Sequence, residues 1–300
     1  MSRISIMALR HSAFYSPLLM CVAGGFLKEE GLDPVYTLAT PEKTIPDSIK
    51  NGSCDVAQSA VATGFAELEA GERPSIVHFA QINERDGFFI AGREADDDFQ
   101  WKKLVGKTVL VDHLFQPLAT LKYVLDKHGV DYNSLNVINA GSVDQIDQAF
   151  RNGQGDFVHQ QGPAPQQLEK DKVGHVLASV GEEIGPLAFS SLCSSREWLV
   201  KDETRVKAKA FMRAYQKSLA YSSHAPAEEM AAREIEAGFF PNIDAVVLAE
   251  TIATYQKLGC WQKDTEISPA GYEKLLDIFE FNGLVSRRYP YNTLIQSPPA

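Results

Sequence analysis

Short apolar clusters rich in Val, Ile and Phe alternate with helical patterns from residue 4 to residue 159, and this alternation constrains the fold more than any other feature of the chain. An apolar strand over 4–9 ends at Arg10-His11-Ser12. A helical pattern over 17–30 follows, then a strand over 34–38, a helix over 45–51, a strand over 55–58, a helix running to 70 and a strand over 75–81. Strands separated by helical segments of this length read as βαβ units on a mainly parallel sheet.

A compact strand at 87–92 and an acidic surface turn over 94–98 precede a second round of alternation. It comprises a strand within 104–112, a helix over 117–128, a strand over 136–139, a helix over 143–152 and a strand over 156–159. A further extended segment over 186–193 gives way to long helical patterns such as 205–222. The expected architecture is an α/β chain of two lobes. Residues 1–92 form the first part of lobe one, 93–186 an inserted lobe two, and 187–300 the return to lobe one with C-terminal helices. Crossings are expected near 87–92 and 187–191, with a cleft between the lobes.

Composition narrows the function. Of 300 residues, 44% are hydrophobic, enough for a sizeable core. A net charge of -10 without a Lys/Arg cluster argues against a nucleic-acid partner. The longest apolar run, 18–26, is broken by glycines and far short of the roughly 20 residues of a membrane span. The N-terminus enters a strand directly, without the pattern of a signal peptide. The expected location is cytoplasmic if Met1 is the native start, and periplasmic or cell-surface if a leader has been removed. Cys21, Cys54, Cys193 and Cys260 match no metal-finger spacing and read as small buried residues, so neither a metal nor another cofactor is expected.

In a parallel α/β lobe, strand carboxyl ends and the helix N-termini after them face a crevice. This rule selects His11, Ser12, Tyr15, Gln58, Ser59, Thr63, Gln81 and Asn83 from the first lobe. From the second it selects His113, Phe115, Gln116, Ser142, His159, Gln160 and Gln161. Pro117 is expected to open a helix fed by the turn 113–116, and Ser142 also reads as an N-cap. The set is rich in amides, imidazoles and hydroxyls with few formal charges, which suits a planar heterocycle with several hydrogen-bonding edges. A sulfonate or nitrate could instead sit at a helix N-terminus. His78, His128, His175 and His224 fall away from the expected crevice and read as structural.

The order and spacing of GFLKEEGLD (25–33), DVAQSA (55–60), LVGKTVLV (104–111), PLAFSSL (186–192) and Tyr289-Pro290 resemble the NMT1/THI5-like branch of type II periplasmic substrate-binding proteins. The resemblance covers nearly the whole chain. It implies a solute receptor of an ABC importer, with a small-molecule ligand such as a sulfonate, nitrate, taurine or a thiamin-pyrimidine precursor, and a membrane permease as partner. It also includes an iron-dependent synthase marked by a Cys-rich run and a His at the first helix. Here 190–195 carries one Cys and the helix opens Tyr15-Ser16-Pro17, so the ligands a transition metal needs are missing. The competing reading is a cytosolic enzyme on the same fold, such as a decarboxylase or a cofactor-biosynthesis protein, with His11, His113 or His159 as acid or base.

Overall fold

Strand β1 (Ser2–Ala8) buries Ile4, Ile6, Met7 and Ala8, because a central parallel strand covered by helices is apolar almost throughout rather than alternating. The computed structural model describes residues 1–299. The other strands are β2 (Leu32–Leu38), β3 (Val56–Ser59), β4 (Val77–Asn83), β5 (Phe88–Gly92), β6 (Thr108–Val111), β7 (Asn136–Ile138), β8 (Phe157–Gln161), β9 (His175–Ser179) and β10 (Ser190–Ser194).

They form two five-stranded sheets of matching order, β2-β1-β3-β10-β4 and β7-β6-β8-β5-β9. Each is parallel except for one strand, β10 in the first and β5 in the second, which runs antiparallel to both neighbours. Strand β5 therefore lies in the second sheet, whereas the sequence reading counted 87–92 with the first lobe. The chain crosses at 84–87, ahead of that division, and returns over 185–189.

Local chemistry explains other departures. The helix expected over 17–30 is interrupted at Gly25, whose φ of +78° ends Ser16–Ala23 and starts Phe26–Glu29. The helix expected from Pro117 begins at Phe115, so Pro117 is its third residue, where a missing N–H is harmless because the first turn has no intrahelical acceptor. The short helix Ala164–Lys170 and the edge strand β9 carry too little periodicity to stand out in the sequence.

The C-terminal helices secure lobe one. Asp202–Ser222 buries Phe211, Met212, Tyr215 and Leu219 and packs on Ser16–Ala23. Ala245–Leu258 touches both the turn Ala13–Tyr15 and the lobe-two helix Ala164–Lys170, so it spans the two halves. No helix among the described residues is long and apolar enough to cross a membrane.

Candidate ligand-binding cleft

The carboxyl ends of β1, β3, β6 and β8 converge on a cavity between the lobes, as the crevice rule requires. Its wall combines Leu9, Arg10, Tyr15, Gln58, Thr63, Phe189 and Ser190 from one lobe with Phe88, Leu114, Phe115, Gln116, Pro117 and Gln161 from the other. The cavity measures about 70 Å³, well under the roughly 300–1,000 Å³ of ordinary ligand pockets. The lobes are thus drawn tightly together, leaving less room than an ordinary organic guest fills. A larger hollow of about 430 Å³ touches lobe one alone and shares only Leu9 and Thr63 with the cleft. The smaller cavity is the better candidate because both lobes contribute to it.

Cross-lobe bonds hold this arrangement. Arg10 Nη1 pairs with Asp112 Oδ2 at 2.7 Å. Ser12 Oγ donates to Gly162 O at 2.7 Å, and Gly162 N donates to Tyr255 Oη at 2.9 Å. Tyr255 Oη donates in turn to Gly87 O at 2.9 Å. Gln116 Nε2 donates to Ala188 O at 3.1 Å. Burial alone would raise the Asp112 carboxyl, but the charge and hydrogen bond of Arg10, together with the hydrogen bond from Leu114 N, outweigh it and hold Asp112 below the usual carboxylate range.

Two residues present polar atoms at the cavity that the protein leaves under-satisfied. Gln116 Oε1 has no partner, and the Gln161 amide has none beyond the neighbouring Tyr15 hydroxyl, itself part of the cavity wall. Buried polar groups are rarely left unpaired, so unpaired groups around a cavity are natural contacts for a guest. Tyr15, Phe88, Phe115 and Phe189 supply flat apolar walls.

Of the residues selected from sequence, Tyr15, Gln58, Phe115 and Gln116 line the cavity, as do Thr63 and Gln161. Gln58 is committed within lobe one, its Oε1 accepting from Leu9 N at 3.0 Å. Asn83 is a brace: Nδ2 donates to Phe14 O at 2.7 Å and Oδ1 accepts from Ser190 Oγ, which fixes two cavity elements from behind. Gln81 bonds to Asn83 O and is buried with it. Ser12 is a lobe tie, and Ser59 faces Thr63 Oγ1 at 3.3 Å beside the outer hollow.

Several expected contacts are not at the cavity. His11 packs among Tyr36, Phe239 and Phe240, with ring centroids 6.0, 5.4 and 4.7 Å away, and burial lowers its pKa. His113 turns back so that Nδ1 lies 2.8 Å from Val111 O. His159 is fully buried behind the wall, stacked on Phe88 at 4.7 Å, with its pKa pushed down by burial to about 4. None of the three lines the cavity, so an acid or base role for them has no geometric support here. Gln160 points to the opposite face of β8 from Gln161, because strand side chains alternate. Ser142 is exposed and closes a capping box with Gln145 at the helix Val143–Arg151, which accounts for it fully. His78 bonds Ser191 Oγ at 2.7 Å and His128 bonds Glu183 at 2.8 Å, both structural. Sequence reasoning missed Arg10, Phe88, Phe189 and Ser190, although the strand-end rule reaches Arg10 directly.

Comparison with known proteins supports the same architecture. The alkanesulfonate-binding protein SsuA from Xanthomonas axonopodis pv. citri, bound to MOPS, superposes with a TM-score of 0.75 at 16% identity, over 99% of each chain. The ligand-binding component of an ABC-type import system from Staphylococcus aureus, with zinc bound, gives 0.74 at 16% identity, over 99% of this chain and 97% of that one. At these identities the likeness shows the fold: two lobes of the periplasmic-binding-protein type. "Putative binding protein YtlA" from Bacillus subtilis (strain 168) is 30% identical over 302 residues, covering 98% of this chain and 88% of the relative. A family model described as NMT1/THI5 like matches residues 13–229. With that match spanning most of the sequence, the chain belongs to the NMT1/THI5-like family.

Proposed function

We propose that this chain is the substrate-binding protein of an ABC-type importer, closing its lobes on a small polar molecule and presenting the closed shape to a membrane permease. The observation that carries this reading is the cavity itself, walled by strand ends of both lobes and lined by the unpaired Oε1 of Gln116 and the amide of Gln161. A guest there touches both lobes at once. Its contacts therefore exist only in the closed form, which is the differential affinity a ligand needs to shift a hinge equilibrium. The relatives reported above are described as binding proteins, which supports a receptor over an enzyme. Delivery to an importer puts the receptor's work on the outer side of the membrane that holds the permease.

Aromatic walls and amide edges favour a planar heteroaromatic guest over an aliphatic one. The test is to purify the chain, denature it and identify any released small molecule by mass spectrometry, alongside a melting screen of pyrimidines, purines, sulfonates and aromatic carboxylates. A true ligand at 100 times its Kd adds about 2.7 kcal/mol of apparent stability. Recovery of the compound unchanged supports the receptor. Conversion to a product, or a screen in which nothing binds, sinks it.

A further inference from the structure

Arg10 is the one formally charged side chain in the described cavity wall; every other polar group there is an amide or a hydroxyl. Its charge is already answered. Nη1 lies 2.7 Å from Asp112 Oδ2, and the two side chains are only 15% and 8% exposed. The second Asp112 oxygen accepts from Leu114 N at 2.8 Å, so the carboxylate is fixed in place by the chain that follows it. Arg10 follows β1 in lobe one and Asp112 follows β6 in lobe two, which means the pair forms only as the lobes close.

We propose that Asp112 sets the charge selectivity of the cleft: by pairing with Arg10 on closure it leaves the cavity electrically neutral, so that the receptor accepts an uncharged molecule and rejects small anions. This rests on the receptor reading above and narrows its substrate class. An anion seated on Arg10 in the closed form meets the Asp112 carboxylate at the same guanidinium, with little water to screen the repulsion. If Arg10 instead turns wholly to the anion, Asp112 is left as a buried charge without its partner, which is strongly unfavourable. An uncharged guest leaves the pair intact, and Gln116 and Gln161 still offer it donors and acceptors. Since a ligand moves the equilibrium only by its preference for the closed state, the pair acts against anions at the step that matters for a receptor.

The test uses the full chain with nitrate and methanesulfonate as probes, read by titration calorimetry and by melting. Asp112→Asn keeps the side-chain shape and the acceptor for Leu114 N while removing the charge that answers Arg10. The expected result is no measurable binding of either anion by the natural chain and measurable binding of at least one by Asp112→Asn, at least about tenfold tighter than the detection limit that bounds the natural chain. The double variant Arg10→Gln/Asp112→Asn should lose that gain. A folded Asp112→Asn that still ignores both anions overturns the proposal, as does a double variant that binds them equally well. Asp112→Ser, which also keeps an acceptor for Leu114 N, serves if Asp112→Asn does not fold. Binding of either anion by the natural chain overturns charge selection by itself, and leaves the receptor reading standing. Failure to carry or bind any small molecule removes the receptor reading whatever the variants do.

Discussion

Removing one oxygen from Tyr255 should loosen the closed form. In that form the hydroxyl accepts from Gly162 N in lobe two and donates to Gly87 O at the first crossing, each at 2.9 Å and fully buried. Tyr255→Phe keeps the ring and strands both backbone groups. A buried donor or acceptor left unpaired costs about 1–3 kcal/mol, so the closed form loses about 2–6 kcal/mol for the two groups together. The molecule has one way to avoid that loss, which is to part the lobes and let water reach Gly162 N. The smaller of the two free energies decides, either the full penalty or the free energy that closure contributes. If closure contributes less than the penalty, the variant opens, and small-angle scattering of the ligand-free chain records a larger radius of gyration. If it contributes more, the lobes stay shut and urea unfolding records the penalty. Tyr215→Phe is the control, because its hydroxyl donates to Gln81 O at 2.6 Å within lobe one. It should lose about 1–3 kcal/mol and leave the radius unchanged. Unchanged stability together with an unchanged radius in Tyr255→Phe would refute the claim that this hydroxyl ties the lobes.

Gln161→Leu removes a buried amide whose one protein neighbour is the Tyr15 hydroxyl at the cavity, so the ligand-free melting temperature should change little while co-purified ligand disappears from the mass spectrum; a clear drop in melting would make Gln161 structural. Ser142→Ala should cost about 1 kcal/mol in urea unfolding through the lost cap and leave ligand recovery untouched. A methyl at Gly181 would lie 2.1 Å from Asp86 O, a backbone atom of the first crossing that no side-chain rotation can move, so Gly181→Ala should lose about 3 kcal/mol or more; unchanged unfolding would show the crossing to be pliant. Burial raises the Glu234 pKa to about 8, so above the ordinary 4.5 the folded chain keeps a proton that the unfolded chain has released, and stability falls as pH rises toward 8. Asp86, raised by burial to about 7, adds to the fall below that pH, while His78 and His159, lowered to about 3 and about 4, oppose it only below their ordinary 6.5; unfolding at pH 6.5 and 8 should show a decline that Glu234→Gln flattens.

The strand-end rule found Tyr15, Gln58, Phe115 and Gln116 because an apolar run that stops at a polar turn is visible in one dimension. It failed where the answer depends on parity or on distant chain. The strand expected to end at 159 continues to Gln161, and the alternation it carries onward puts Gln161, not Gln160, toward the cavity. His11 stands at a strand end, but Phe239 and Phe240 draw it into an aromatic cluster from more than 200 residues away. Arg10 and Asp112 are 102 residues apart, and nothing local to either announces the other. The fold was legible because both sheets are built from short-range βαβ repeats. The two antiparallel strands were not, since placing them requires knowing that each crossing inserts a strand into the sheet it has just reached.

That insertion also ties ligand binding to motion. The two crossings hydrogen-bond to one another, Leu187 N to Glu84 O at 2.8 Å and Phe189 N to Asn83 O at 3.2 Å, and so form a two-stranded ribbon between the lobes. The ribbon feeds β5 on one side and β10 on the other, and both are interior strands held by two neighbours, so the ribbon is the part of the connection where bending disrupts the fewest hydrogen bonds. Asp86 stiffens its start by accepting from Phe88 N at 2.7 Å and from Thr120 Oγ1 at 2.6 Å. Phe88, Phe189 and Ser190, the residues at its ends, are themselves walls of the cavity. A guest lying against them therefore presses on the hinge directly, and binding and closure are coupled through a single layer of side chains, with no relay through the body of either lobe.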